Sequence, residues 1–124
     1  LRELNRPVTK NQDAFLQRLP PELLEYIDRH CCDKISLQQI AAQCFYHPAY
    51  FSRAFKQYCG KTLSGYIKDK RMEKAAALLT NSPRASIVQV MDQCGYSDTK
   101  LFYRHFKEHF QMTPQEYRKH TMLK

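Results

Sequence analysis

Leu63-Ser64-Gly65-Tyr66-Ile67-Lys68-Asp69-Lys70-Arg71-Met72-Glu73-Lys74-Ala75-Ala76-Ala77-Leu78-Leu79 reads as one long helix with a similar block of chain on either side. Its apolar residues Leu63, Tyr66, Ile67, Ala75, Leu78 and Leu79 recur at helical spacing, which leaves Lys68, Asp69, Glu73 and Lys74 to face water. Thr62 is placed to cap its start, and Asn81, Ser82 and Pro83 stop it. The stretch rises roughly 26 Å, enough to hold two small subdomains at a set distance.

On its N-terminal side, Ser36-Leu37-Gln38-Gln39 has the capping-box pattern, in which serine hydroxyl and N3 glutamine satisfy each other's orphan amides. Leu37, Ile40, Ala41 and Cys44 then line a short helix, and the period restarts in a new direction at Pro48, a residue suited to a first helical turn. The second helix has a predicted buried stripe of Phe51, Ala54, Phe55 and Tyr58 and is closed by Gly60. Short helix, tight turn and longer helix make a helix-turn-helix, with the small Ala41 allowing close approach. Upstream, Pro20-Pro21 opens a helix whose stripe is Leu23, Leu24, Ile27 and Cys31.

On the C-terminal side the pattern repeats. Ser86-Ile87-Val88-Gln89 is again Ser-x-x-Gln before an apolar stripe, with Cys94 at the place of Cys44. After one inserted residue, Phe102-Tyr103-Arg104-His105-Phe106-Lys107 matches Phe51-Ser52-Arg53-Ala54-Phe55-Lys56, and the match continues through Thr62/Thr113 and Tyr66/Tyr117. Thr113-Pro114-Gln115-Glu116 starts a last helix, read over 114–120. The expected fold is therefore all-α, two helix-turn-helix subdomains joined by a long central helix. Its expected divisions are a tether at 1–19, a first subdomain at 20–61, the linking helix at 62–82 and a second subdomain at 83–124. Because the chain opens on Leu1, the tether is read as following a missing N-terminal domain.

Composition sets the partner class. The 124 residues include only three glycines, which leans towards helix, and carry a net charge of +8, with +5 in residues 1–83 and +3 beyond. Such a balance suits nucleic acid, and also an anionic membrane surface or an acidic protein. No apolar run reaches the length of a membrane span and no leader is visible, so no membrane role is expected. Five cysteines, an odd number without a Cys-x-x-Cys pair, read as reduced thiols of a cytosolic protein.

The second helix of a helix-turn-helix can lie in a major groove with its early residues at the base edges. By helical phase the free faces hold Ala49, Tyr50, Ser52, Arg53 and Lys56 in the first unit and Thr99, Lys100, Tyr103, Arg104 and Lys107 in the second. Alone, Arg53 and Arg104 read as solvated arginines; at matching places in a duplicated motif they read as partners for guanine O6 and N7. Tyr50, Lys56, Lys61, Ser97, Lys107, Thr113 and Lys119 are the candidates for phosphate, with the lysines equally readable as plain surface. The phenylalanines belong to the core rather than to a stacking platform for single strands, and Tyr103 is the aromatic expected to be exposed.

Catalysis and metal binding find less support. His105 and His109 can share a helical face, and His30, Cys31 and Cys32 are adjacent, but zinc wants four ligands from close pairs, and Cys44, Cys59 and Cys94 fall at apolar positions. A Cys-His nucleophilic pair has no supporting Gly-rich loop or paired carboxylates. No metal, no cofactor and no enzymatic activity are expected. Arg71 reads as an internal salt-bridge or helix-packing residue rather than a DNA contact.

The chain resembles the C-terminal DNA-binding domain of AraC/XylS-type bacterial transcription regulators over roughly Pro21 to His120. The resemblance rests on Leu37-x-x-Ile40-Ala41, Tyr50-Phe51-Ser52-Arg53-x-Phe55-Lys56-x3-Gly60 and Tyr66-Ile67-x3-Arg71-Met72-x2-Ala75-x2-Leu78-Leu79. It continues through Ile87-x2-Val90, Gly95-Tyr96-Ser97-Asp98, Phe102-x-Arg104-x-Phe106-Lys107 and Met112-Thr113-Pro114-x2-Tyr117-Arg118. It implies sequence-specific binding of double-stranded DNA in two successive major grooves, with Ala49, Ser52, Arg53, Thr99, Lys100, Tyr103 and Arg104 as the candidates for base contact. It also implies a small-molecule effector sensed through the missing N-terminal domain, contact with RNA polymerase, and control of a metabolite-responsive operon, for instance one for sugar utilisation. His47, Met91 and Gln111 depart from the family's usual serine, alanine and glycine, and Gln111 puts its turn in question. The competing class is a protein-interaction module without specific DNA recognition, separable by the steep salt dependence of DNA binding.

Overall fold

The computed structural model describes residues 21–122, so the segment read as a tether lies outside the described residues. Among them the chain forms seven helices: α1 (Pro21–His30), α2 (Leu37–Gln43), α3 (Pro48–Cys59), α4 (Leu63–Asn81), α5 (Ile87–Gln93), α6 (Thr99–Phe110) and α7 (Pro114–Met122). They make two helix-turn-helix units, α2–α3 and α5–α6, with α4 running from one into the other. The first unit takes α1 through Ile27, residues 35–62 and the start of α4 through Tyr66; the second takes residues 28–34 and everything from Ile67. The fold expected from the periodicity is the fold observed.

Local chemistry explains the helix starts. Ser36 Oγ accepts from Gln39 N–H at 3.1 Å while Ser36 N–H donates to Gln39 Oε1 at 3.1 Å, and Ser86 and Gln89 repeat the exchange at 3.1 and 2.8 Å. Thr62 caps α4 through Gly65 N–H at 3.0 Å. In α7, Thr113 Oγ1 accepts from Glu116 N–H while Thr113 N–H donates to the Glu116 carboxylate. That bond holds the Glu116 carboxyl below the usual range. His47, standing where serine was expected, caps α3 in the same manner, its Nδ1 accepting from Ala49 N–H at 3.1 Å.

The helix ends differ between units. Gly60 closes α3 in the left-handed conformation at φ 79°, and Gln111 closes α6 in the same region at φ 60°. The turn in question is thus preserved without glycine, and the Gln111 side chain donates to Glu108 O at 2.9 Å. Holding a residue with a Cβ there costs of order 1 kcal/mol, which a glycine avoids.

In the first unit Leu23, Ile27, Ile40, Ala41, Phe51, Ala54, Phe55 and Leu63 are buried. In the second, Met72, Ala75 and Leu79 of α4 pack with Val90, Met91, Cys94, Tyr96, Phe102 and Phe106. Aromatic geometry repeats with the sequence: Tyr66 meets Phe55 edge-on at 5.5 Å and 86°, and Tyr117 meets Phe106 at 5.6 Å and 84°. Met91, where the first unit has Ala41, is buried in the second core.

Three expectations are corrected. Tyr58 does not join the buried stripe of α3 and is 42% exposed; the buried residues of that helix are Phe51, Ala54 and Phe55, and Tyr58 lies beyond them towards its C-terminal end. Lys68 and Asp69 are half-buried rather than turned to water, with Asp69 Oδ1 3.5 Å from His109 Nδ1. Met72, absent from the apolar stripe read for α4, is fully buried; the charged residues beside it in sequence hid a position that lies one turn before Ala75.

Two arginines tie the second unit together. Arg71 donates to the backbone oxygens of Cys31 and Asp33, beyond the end of α1, and lies over the Tyr96 ring at 5.5 Å, so it packs helices as its position indicated. Arg118 donates to Leu79 O and Ser82 O at 3.1 and 3.2 Å and so caps the end of α4. Gly95, at φ 87°, is forced by sterics: a Cβ there would stand 2.4 Å from Cys32 O.

Candidate nucleic-acid interface

Burying Phe51, Ala54 and Phe55 on one side of α3 leaves a polar face on the other. There the structure brings Ser52, Arg53 and Lys56 together with Gln57 around a shallow depression of about 430 Å³. Gln57 was not among the residues expected; the i, i+1, i+4, i+5 spacing from Ser52 was the signal for it. Ala49 is exposed at the start of the same helix. Tyr50 is half-buried, its ring 5.2 Å from that of Tyr46, and burial raises its hydroxyl pKa against the opposing charge of Arg53. Lys61 is exposed beyond Gly60.

The second unit offers a related face with different chemistry. Phe102 and Phe106 are fully buried, while Thr99, Lys100, Arg104 and Lys107 are exposed on α6 and Ser97 is exposed just before it. Asp98 caps α6 through Leu101 N–H at 3.2 Å, which engages one of the amides that could meet a phosphate. By the repeat, Ser52 corresponds to Tyr103 and Gln57 to Glu108. Tyr103 is not the free aromatic expected: it is half-buried, packs against Phe102 and accepts from the Gln115 side chain. Lys119 is exposed on α7, whereas Thr113 is half-buried and engaged in its cap.

Far more exposed than Tyr58 is Phe45, 94% accessible in the turn between α2 and α3, with φ 61°. Sequence reasoning passed over it, although the matching position is Gly95 and the contrast was available from the repeat.

The groups weighed for other chemistry are otherwise occupied. His105 Nδ1 lies 2.6 Å from Tyr96 Oη and His109 Nδ1 faces Asp69, so the two rings turn to separate partners. Burial lowers the His105 pKa, with Lys68 adding to the effect, and pushes the Tyr96 hydroxyl up to about 12. Burial also pushes the Cys31 thiol to about 11 and the Cys94 thiol to about 12, so both stay protonated and unreactive near neutral pH. All five cysteines are free thiols. Among the described residues no three His, Cys, Asp or Glu groups converge on a metal position, and no helix is long and apolar enough to cross a membrane.

Comparison with known proteins identifies the architecture. The helix-turn-helix domain family matches residues 40–120. Regulatory protein SoxS of Salmonella typhimurium is 31% identical over 102 residues, covering 82% of this chain and 94% of SoxS. The chain belongs to the AraC/XylS family. An AraC-type transcriptional regulator from Chromobacterium violaceum has the same fold, with TM-score 0.75 at 30% identity over 87% of this chain and 96% of that one. Regulatory protein PocR of Salmonella typhimurium is 37% identical over 95 residues, 77% of this chain, but the match spans only 31% of PocR. This AraC/XylS-family chain is thus a DNA-binding helix-turn-helix domain of the kind that bacterial transcription regulators carry.

Proposed function

We propose that the domain reads two successive major grooves of one duplex, α3 in the first and α6 in the next. The observation that carries this reading is the paired arrangement of Arg53 and Lys56 opposite Phe51 and Phe55, and of Arg104 and Lys107 opposite Phe102 and Phe106. Ala49, Ser52, Arg53 and Gln57 contact bases in one block, and Thr99, Lys100, Tyr103 and Arg104 contact bases in the other. Arginine discriminates by its fork of donors on guanine, and Ala49 by apolar contact with a thymine methyl. Tyr50, Lys56, Lys61, Ser97, Lys107, Thr113 and Lys119 meet phosphates and set register without reading sequence.

The wider roles follow the family. Since PocR is about three times as long as the part this chain matches, a regulator built that way holds its sensing of a small metabolite, such as a sugar, outside this domain. Contact with RNA polymerase belongs to the same reading. In a selection of bound duplexes from a random library, the expected outcome is two conserved blocks about ten base pairs apart. The Arg104→Ala variant should lose preference in one block only. No enrichment at any salt concentration overturns the reading in favour of a protein-binding module.

A further inference from the structure

Phe45 combines two costs that nothing within its own unit repays. Its ring is 94% exposed, so it adds no packing, and its backbone sits at φ 61°, where a bulky L side chain is strained. Glycine performs the same turn at position 95 in the second unit. There a side chain is impossible, because a Cβ would run into Cys32 O. At position 45 the side chain projects into solvent instead. The turn itself asks for glycine, so the phenylalanine answers to something outside the fold.

Its place in the motif identifies what that is. The turn residue Phe45 lies two positions before His47, which caps α3, and three before Pro48, the first residue of that helix. The N-terminal end of the second helix is the end that approaches the base edges. Next in order on α3 come the exposed Ala49 and then Ser52 and Arg53 of the cationic depression. An uncharged ring at that edge has one complementary feature in a major groove, the thymine methyl. A protein surface would meet the ring equally well, but the cationic helix immediately following favours a polyanion.

We propose that Phe45 is a specificity-determining DNA contact, packing its ring on a thymine methyl at the border of the base block read by α3. The inference rests on the duplex-reading function proposed above. It makes the first unit's preference depend on the turn as well as on the helix. The second unit, with Gly95, has no counterpart and reads with its helix alone.

The test uses this chain and the duplex it enriches, with each thymine of the α3 block replaced in turn by deoxyuridine, which removes only the methyl group. For the unaltered chain, one replacement should weaken binding about fourfold, the value of a buried methyl-sized contact. Phe45→Gly and Phe45→Asn, both compatible with a left-handed backbone, should bind the thymine duplex about as weakly and be indifferent to that replacement. Their melting temperatures should equal or exceed that of the unaltered chain, which separates loss of contact from loss of fold. Arg53→Ala serves as the control. If it loses discrimination while the Phe45 variants bind and discriminate as before, the Phe45 contact is overturned and the reading function stands, with the ring left to a protein partner. The thymine read by Ala49 should stay sensitive to uracil in the Phe45 variants; if every thymine sensitive in the unaltered chain stays so in both variants, the Phe45 contact is overturned too. If the unaltered chain enriches no duplex, both fall.

Discussion

The two helix-turn-helix units are built to one plan and finished differently. Each has a seven-residue helix opened by a Ser/Gln capping box and a twelve-residue helix sealed by a pair of phenylalanines, with a tyrosine set edge-on against the second ring. Yet Phe45 faces Gly95 across the repeat, Gly60 faces Gln111, Ala54 faces His105, and Ser52 faces Tyr103. The shared positions are those where packing density or an orphan amide leaves little choice. Of the differing ones, Phe45, Gly60 and Ser52 lie where the chain turns or meets solvent, whereas Ala54 and Ala41 are buried and their counterparts His105 and Met91 change what the second unit packs. What is common makes the fold, and what differs gives each unit its own reading surface.

The largest effect should come from attacking what is common. Phe55→Ala and Phe106→Ala each remove a fully buried ring, and each should cost about 3–5 kcal/mol. Denaturant unfolding followed by circular dichroism checks this; a loss below about 1 kcal/mol in only one variant would break the equivalence of the two cores. Next, Arg53→Ala and Arg104→Ala should each reduce discrimination in one base block by about 1–3 kcal/mol while leaving the melting temperature unchanged. Fluorescence anisotropy on matched and mismatched duplexes reads that difference, and equal losses in both blocks from one substitution would contradict separate reading.

A smaller effect concerns the helix ends. Gln111→Gly should stabilise the domain by about 1 kcal/mol and Gly60→Ala should destabilise it by a similar amount, since both sites hold a left-handed backbone. Thermal melts that shift in the same direction would show that the two ends are not alike.

The smallest effect is the pH slope that His105 contributes to the second unit. Burial holds the His105 pKa below its ordinary value near 6.5. The unfolded chain therefore binds the proton first as pH falls, and His105 contributes stability that is fully present above that ordinary value and lost as pH drops through the lowered one. Stability measured between pH 7.5 and pH 5 should fall less steeply in His105→Gln than in the unaltered chain; an unchanged slope removes His105 as its source. At the matching place the first unit has Ala54, which cannot titrate.

Much of this was legible in the chain itself. Capping boxes, N1 prolines and helical stripes are local, and they placed α2 through α7 to within a few residues. The Phe51/Phe55 and Phe102/Phe106 repeat revealed the duplication, and with it the outward faces carrying Arg53 and Arg104. Less legible were positions whose environment is made by distant chain. Tyr58 obeys the apolar phase of α3 but stays exposed beyond its buried residues, and Met72 is buried although charged neighbours surround it in sequence.

That the chain is helical, duplicated and basic is written in the order of its residues, because periodicity, capping and charge are properties of neighbours. Folding had to bring remote segments together before Arg71 could bind carbonyls forty residues upstream or Gln115 could hold Tyr103. The same holds for position 95, which must be glycine, while position 45 is free to carry a ring. Such outcomes depend on which atoms of distant segments arrive at the same place. Spacing along a chain does not encode that until the chain has folded.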